Sequence, residues 1–282
     1  MRARKTLLSF FGLGVGSLAK QLHGYLRLHP EIFSPETSTN FFSETKVYQK
    51  GIDWYESNFL INKSGVKCGE LSENYLGCLM SVSLIVRNYP SARLFVVIDD
   101  PLLAIKIMYI EALKKQIIKS EISPTQFLKQ HPEILRKFCF GKHLTQYFSF
   151  YSHNDLLVLV ATEISDDPLK NLSNLYKHLE IDSNFVPSVL KHLVPEEEED
   201  PKKRGGFIKR SIKFIIKFIK KTYANLLKKV KTQKERPDTI LLEAKNLVFS
   251  PELEKFLRDY YREDVRVLSS LLHRNFTEEW GF

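Results

Sequence analysis

Cysteine is scarce in this 282-residue chain, which has three: Cys68, Cys78 and Cys139. They form no CxxC pair and no Cys/His cluster of metal-ligand spacing, so the sequence offers no structural zinc and points to a reducing compartment. Long hydrophobic runs are missing too. The apolar stretch Leu7 to Phe11 is broken at once by glycines and is too short to span a membrane. Basic residues precede it, as in a secretory leader, but the pattern continues unbroken into an amphipathic segment ending at His29-Pro30. No Gly-Lys-Ser/Thr sequence occurs, which excludes the ATP-type phosphate loop, and no internal repeat is visible. One stretch lacks acid altogether. Between Lys202 and Lys231 stand twelve Lys/Arg and no Asp or Glu; without them the net charge of +9 becomes −3. The basicity is local, and the body of the chain is not a nucleic-acid-binding surface.

What is present is organised around Thr6 to Pro30, TLLSFFGLGVGSLAKQLHGYLRLHP. The apolar run over Leu7–Phe11 predicts a short buried strand, and Gly12, Gly14 and Gly16 predict a tight turn. Ser17 is in position to cap a helix on which Leu18, Leu22, Tyr25 and Leu26 recur at helical spacing. A strand, glycine loop and helix in this order aim backbone N–H groups at an anion, with Gly14, Gly16, Ser17 and Leu18 as the donors. The competing reading is a structural glycine turn without a ligand.

Further along, Tyr48, Ile52, Tyr55 and Phe59 fit one face of a helix within 46–59, and Met80 to Asn88 reads as another. Ala92 to Asp100 (ARLFVVIDD) is the clearest strand, continuously apolar from Leu94 to Ile98 as a central parallel strand would be. Pro101 breaks it, and Leu102 to Lys119 reads as a long helix. A helix near Gly141–Tyr151 precedes a strand at Leu156–Val160, followed by a loop (ATEISDDP) and a helix over Leu169–Leu179. Strands alternating with helices imply α/β architecture with a parallel sheet covered on both faces. Ligands of such sheets bind at the C-terminal strand ends, beside both the glycine loop and Asp99-Asp100-Pro101.

An acidic run, PEEEEDP, then leads into a basic amphipathic segment at 205–231, with Ile208, Ile212, Ile215, Phe218, Ile219, Leu226 and Val230 on its apolar side. This composition fits binding to an anionic membrane surface or an anionic glycan, and the competing reading is an ordinary helix packed on the domain with a solvated lysine face. Ser250 to Leu272 reads as a helix capped by Ser250, with Pro251 in its first turn. The expected organisation is one domain over 1–195 and 237–282, with 196–236 inserted as linker and basic helix. Glu70, within GELSENYL, is expected to hold its loop through hydrogen bonds rather than to catalyse. Asp166-Asp167 are expected to cap a helix rather than bind metal, and Trp54 and Trp280 to pack in the core.

In order along the chain, these pieces resemble the sulfotransferase family, nearest to its heparan-sulfate-type branch and bacterial relatives. The opening strand–loop–helix through LRLHPEI resembles the family's 5′-phosphosulfate loop. TNFFSETKVYQKGIDWYESNF resembles the segment around the acceptor, and GELSENYL the family's GE-x-S-x-x-YL loop. ARLFVVIDDPLLAIKIMY resembles the strand and helix that hold the cofactor's 3′-phosphate. LLVLVATEISDDPLKNLSNLYKHLEIDSNFVP and SPELEKFLRDYYREDVRVLSSLL, with Trp280 after it, resemble the later strand and the terminal helix.

The resemblance implies a three-layer, P-loop-like α/β fold with a central parallel sheet flanked by helices. It implies transfer of a sulfuryl group from 3′-phosphoadenylyl sulfate (PAPS), without a metal, to a hydroxyl or amine of a glycan or similar small acceptor. The expected location is cytoplasmic, with peripheral attachment to the membrane as the alternative. The family's loop lysine, glycine and threonine fall on Gly16, Leu18 and Ala19, leaving Lys20 as the nearest lysine. Its 3′-phosphate arginine falls on Asp99 and its serine on Ile107, with Lys106 adjacent as a substitute cation. Its catalytic carboxylate falls on Ser38, with Glu36 two residues away, and His143 stands where an aromatic often flanks the nucleotide. The implied catalytic pair is Lys20 and Glu36. The alternative implied by the same positions is a binding or scaffold protein on this fold, without turnover.

Overall fold

The computed structural model describes residues 8–14, 16–59, 65–193 and 237–282. Among them, five strands form one parallel sheet in the order β2-β3-β1-β4-β5. β1 (Phe10–Gly14) lies at its centre, with β3 (Lys67–Ser72) on one side and β4 (Arg93–Ile98) on the other. Phe10 stands opposite both Gly69 and Arg93 in register. β5 (Leu156–Val160) pairs with β4, Leu94 against Leu156, and the two-residue β2 (Ile32–Phe33) pairs with β3. Parallel neighbours need crossovers, and helices supply them: α1 (Ser17–Leu26), α4 (Leu79–Asn88) and α5 (Pro101–Lys114) all return the chain across the sheet. The continuous apolar run of β4 is buried along its length, as a strand covered on both faces requires.

Several sequence expectations shift in position. β1 starts at Phe10 rather than Leu7, so Gly12 and Gly14 are strand residues and not loop. The reason is tertiary: a Cβ on Gly12 would lie 2.4 Å from the Phe95 ring and 2.7 Å from Leu71, and one on Gly14 would lie 3.0 Å from the Ala19 Cβ. Two of the three alternating glycines therefore make room for neighbours. Gly16 alone, at φ 99°, needs glycine's freedom to turn the chain, and it rather than Ser17 is the N-cap of α1. The predicted helix over 46–59 is two, α2 (Thr45–Tyr48) and α3 (Ile52–Ser57), split at Gly51 with φ 86°. The helix after Pro101 ends at Lys114 rather than Lys119, where Gln116 turns left-handed at φ 55°.

ATEISD is no loop but a helix, α9 (Ala161–Asp166), starting directly from β5. Asp167 then caps α10 (Pro168–Leu179) by accepting the Lys170 N–H at 3.0 Å, the expected capping role. β2, α6 (Pro124–Gln130), α7 (Glu133–Lys137), α11 (Pro237–Asn246) and α13 (Phe276–Glu279) had no counterpart in the sequence reading. Each is short or weakly periodic.

The terminal helix α12 (Pro251–Leu272) begins as read, with Ser250 Oγ accepting the Leu253 N–H at 3.3 Å. It packs along α8 (Phe140–Phe148), and Asp264 caps that helix from outside by accepting the Gly141 and Lys142 N–H groups at 2.9 and 2.8 Å. A Cβ on Gly141 would meet the Asp264 carbonyl oxygen at 2.2 Å, so glycine sets this close crossing. α11 packs against α5. The expected acidic linker and basic helix at 196–236 lie outside the described residues. No helix among those described is long and apolar enough to cross a membrane.

Candidate functional site

At the C-terminal ends of β1 and β4, where a parallel sheet presents its binding edge, the structure forms a partly open cavity of about 70 Å³. Several parts of the chain converge there. The β1–α1 turn brings Gly16, Leu18 and Lys20. The end of β4 brings Asp99, and α5 adds a stripe at helical spacing of Ala104, Ile107, Met108 and Glu111. Phe138 and Phe140, at the α7–α8 junction, supply an aromatic wall. Glu73, from the loop after β3, completes the rim.

The charges are set by local chemistry. Asp100 caps α5, its Oδ1 accepting the Leu102 N–H at 2.9 Å, and Pro101 takes the first turn. Asp99 Oδ1 accepts the Asp100 N–H at 2.9 Å. Burial pushes the Asp99 carboxyl up to about 7 and the Asp100 negative charge adds to that; its own hydrogen bond and Lys245 oppose it. Asp100 is pushed to about 6, again by burial, against the Leu102 N–H, Arg258 and Lys106. Lys20 Nζ lies 2.7 Å from Glu73 Oε1. Glu111 Oε2 accepts from Lys115 Nζ at 2.5 Å, while its Oε1 is buried with no hydrogen-bond partner among the described residues.

Of the residues singled out in the sequence, the cavity gathers Gly16, Leu18, Lys20, Asp99 and Ile107. Gly14 lies inside β1, and Ser17 is the first residue of α1. Lys106 points elsewhere, its ammonium 5.1 Å from the centre of the Phe249 ring. His143 lies on α8 with Nε2 2.8 Å from the Arg136 carbonyl oxygen, and burial lowers its pKa. Glu36 is exposed and not part of the cavity lining. Ser38 Oγ donates to Asn40 Oδ1 at 3.2 Å.

Glu73, Glu111, Phe138 and Phe140 were not read from the sequence. For Glu111 a signal existed: it continues the 104/107/108 face of α5 as a lone acid on an apolar stripe.

Beside the cavity, Glu70 joins two loops. It accepts the Thr39 N–H at 3.0 Å, the Tyr55 hydroxyl at 2.7 Å and the Tyr75 hydroxyl at 2.5 Å. Burial raises its pKa, and those hydrogen bonds pull it back. Phe41 stacks on Tyr55, ring centres 4.5 Å apart and planes 12° from parallel. Glu70 thus pins the TNFF segment to the GELS strand. Trp54 is partly buried with Lys50 over its ring at 4.2 Å, and Trp280 packs on Phe276 at 4.4 Å. No group of three or more His, Cys, Asp or Glu among the described residues is placed to hold a metal ion.

Among solved structures, the chain is similar to the sulfotransferase from Alicyclobacillus acidocaldarius, with a TM-score of 0.68 and 16% identity over 98% of this chain and 99% of that one. It is also similar to the sulfotransferase domain of the Synechococcus PCC 7002 olefin synthase, with a TM-score of 0.54 and 13% identity over 93% and 96% of the two chains. The chain therefore has the sulfotransferase fold, a central parallel sheet flanked by helices. No protein-family model and no curated protein sequence matches it.

Proposed function

We propose that this chain is a binding protein built on the sulfotransferase fold, and that its cavity no longer grips PAPS. The carrying observation is Asp99. It stands where the resemblance puts an arginine against the 3′-phosphate, and it is 6% exposed. A buried carboxylate facing a phosphate is repulsive, and burial weakens the solvent screening that would relieve this. Three carboxylates, Glu73, Asp99 and Glu111, border the cavity against one cation, Lys20, which Glu73 already engages. Ile107 offers no donor where a serine would stand. At about 70 Å³ the cavity is also far below the roughly 300–1,000 Å³ of ordinary small-molecule sites. The residues present do not fit this nucleotide.

A second reading keeps sulfuryl transfer to a hydroxyl or amine of a glycan or small acceptor, and one observation favours it. The N-terminus of α1 has no side-chain cap, and the Gly16 α-carbon has open space around it, so backbone N–H groups remain available to an anion. Calorimetry with adenosine 3′,5′-bisphosphate separates the two. The binding-protein reading expects no heat at millimolar nucleotide; micromolar binding overturns it and restores the transferase reading.

A further inference from the structure

Phe256 and Tyr260 stand one turn apart on α12, 50% and 41% exposed, with their ring centres 6.1 Å apart. Single exposed apolar side chains are ordinary, but two rings in contact form a patch that is costly to leave in water. Its border is basic. The Tyr260 hydroxyl hydrogen-bonds the Cys139 thiol at the α7–α8 junction, and the Arg136 guanidinium lies within electrostatic reach of Tyr260. Lys142, in the first turn of α8, lies within the same reach of Cys139. Arg136, Lys137 and Lys142 are all exposed, and none of them forms an ion pair with another described residue. Nearby acids are engaged elsewhere: Asp264 caps α8, Glu263 lies 3.4 Å from Arg266, and Glu133 lies 3.3 Å from His131. Glu252, one turn before Phe256, sits in the first turn of α12, where the helix dipole favours an acid.

We propose that this face of α12 and the α7–α8 junction docks on an anionic lipid bilayer, Phe256 and Tyr260 entering the interfacial layer and Arg136, Lys137 and Lys142 meeting the headgroups. The inference does not depend on what the cavity holds. A bilayer interface supplies both halves of the complement at once, an apolar layer for the rings and a negative surface potential for the cations. An acidic peptide meets the cations and leaves the rings in water. A neutral apolar partner covers the rings and desolvates the cations without pairing them. A polynucleotide fits poorly, because the two rings are tilted 37° to each other and offer no common flat platform for bases. The patch is also local, since the chain outside Lys202–Lys231 sums to −3, so attraction to an anionic surface is confined to this side. The basic stretch 205–231, which the sequence alone suits to such a surface, is no part of this patch. Each cation brought to an anionic headgroup layer strengthens binding about fivefold, so three cations and two rings give a reversible, salt-sensitive contact rather than a fixed anchor.

The test uses the full chain with vesicles of phosphatidylserine and phosphatidylcholine, against vesicles of phosphatidylcholine alone, at low salt. In flotation assays the native chain should bind the anionic vesicles. Combining Arg136→Gln, Lys137→Gln and Lys142→Gln should weaken that binding at least tenfold, and Phe256→Ser should weaken it several-fold. All four positions are exposed, so the variants should keep the native circular dichroism. Phe256→Trp then reports the face directly: lipid brominated in the upper acyl chain should quench its emission beyond the quenching of the native chain, which carries Trp54 and Trp280. Equal vesicle binding by the native chain and the triple variant overturns the inference, as does the absence of added quenching in Phe256→Trp. Either result assigns any vesicle binding to another part of the chain, the stretch 205–231 first. Binding of poly-glutamate without binding of anionic vesicles also overturns it, in favour of an acidic protein partner.

Discussion

Lys20 Nζ lies 2.7 Å from Glu73 Oε1, so the lysine nearest the phosphate-type loop is paired across the mouth of the cavity with an acid from the loop after β3. The pair is open to water, the two side chains 52% and 40% exposed, and exposed ion pairs contribute little. Glu73→Gln and Lys20→Ala should each change stability by less than about 1 kcal/mol in chemical denaturation, and less still in high salt. Freeing Lys20 in Glu73→Gln should leave adenosine 3′,5′-bisphosphate unbound in calorimetry, because Asp99 and Ile107 still face the nucleotide.

The glycines separate by cause. Gly12→Ala puts a Cβ within 3 Å of Phe95 and Leu71, and side chains must shift to admit it, at a cost of about 1–3 kcal/mol. Gly69→Ala is worse, because its Cβ would lie 2.2 Å from the Phe10 backbone oxygen, which cannot move without breaking the register of β1. Gly16→Ala meets no atom and is penalised only for its backbone angles, φ 99° and ψ 175°, at about 1–3 kcal/mol. Urea titrations should rank the loss at Gly69 above those at Gly12 and Gly16.

Asp99 links stability to pH. It takes up its proton near pH 7 in the folded chain, against about 4 when unfolded. Between those values the folded state binds the extra proton, so this group's contribution to stability falls as pH rises from about 4 to 7, and the penalty is complete above that. Asp99→Asn removes it while keeping the bond from the Asp100 N–H. The variant should be more stable than the native chain at pH 8, by a few kcal/mol (roughly 2–4), and nearly equal to it at pH 4. Thermal melts across that range check the crossover; a gain that does not depend on pH would contradict the buried-charge account.

Glu70 is a positioning residue for the two loops it joins. Glu70→Gln keeps one oxygen to accept from both the Tyr55 and Tyr75 hydroxyls and turns its amide NH2 toward the Thr39 N–H, leaving that donor unmet at about 1–3 kcal/mol. Tyr75→Phe leaves Glu70 its bonds from Thr39 and Tyr55 but takes away the acceptor of the buried Phe42 N–H, so its cost should be comparable. Hydrogen exchange at Thr39 should quicken in Glu70→Gln more than in Tyr75→Phe, since Thr39 N–H donates to this carboxylate directly.

What the sequence alone determined is the part of the protein whose cause is local. An unbroken apolar run makes β4 and β5, Ser-Pro starts α12, and Asp-Pro starts α5, and each stands within a few residues of where the pattern puts it. The order of these pieces also sufficed for the α/β class. Tertiary structure alone decided the rest. Gly12 and Gly14 look like loop until Phe95, Leu71 and Ala19 are seen to occupy the space their side chains would need. Asp264 is one acid on a helix face until α8 arrives beneath it. The sign of the cavity is likewise a sum over distant elements. Glu73, Asp99 and Glu111 are separated in the chain and come to line one cavity only when the loop after β3, the end of β4 and α5 converge. Charge interactions act through space and local periodicity acts along the chain, so the fold could be read from the sequence while the ligand it selects could not.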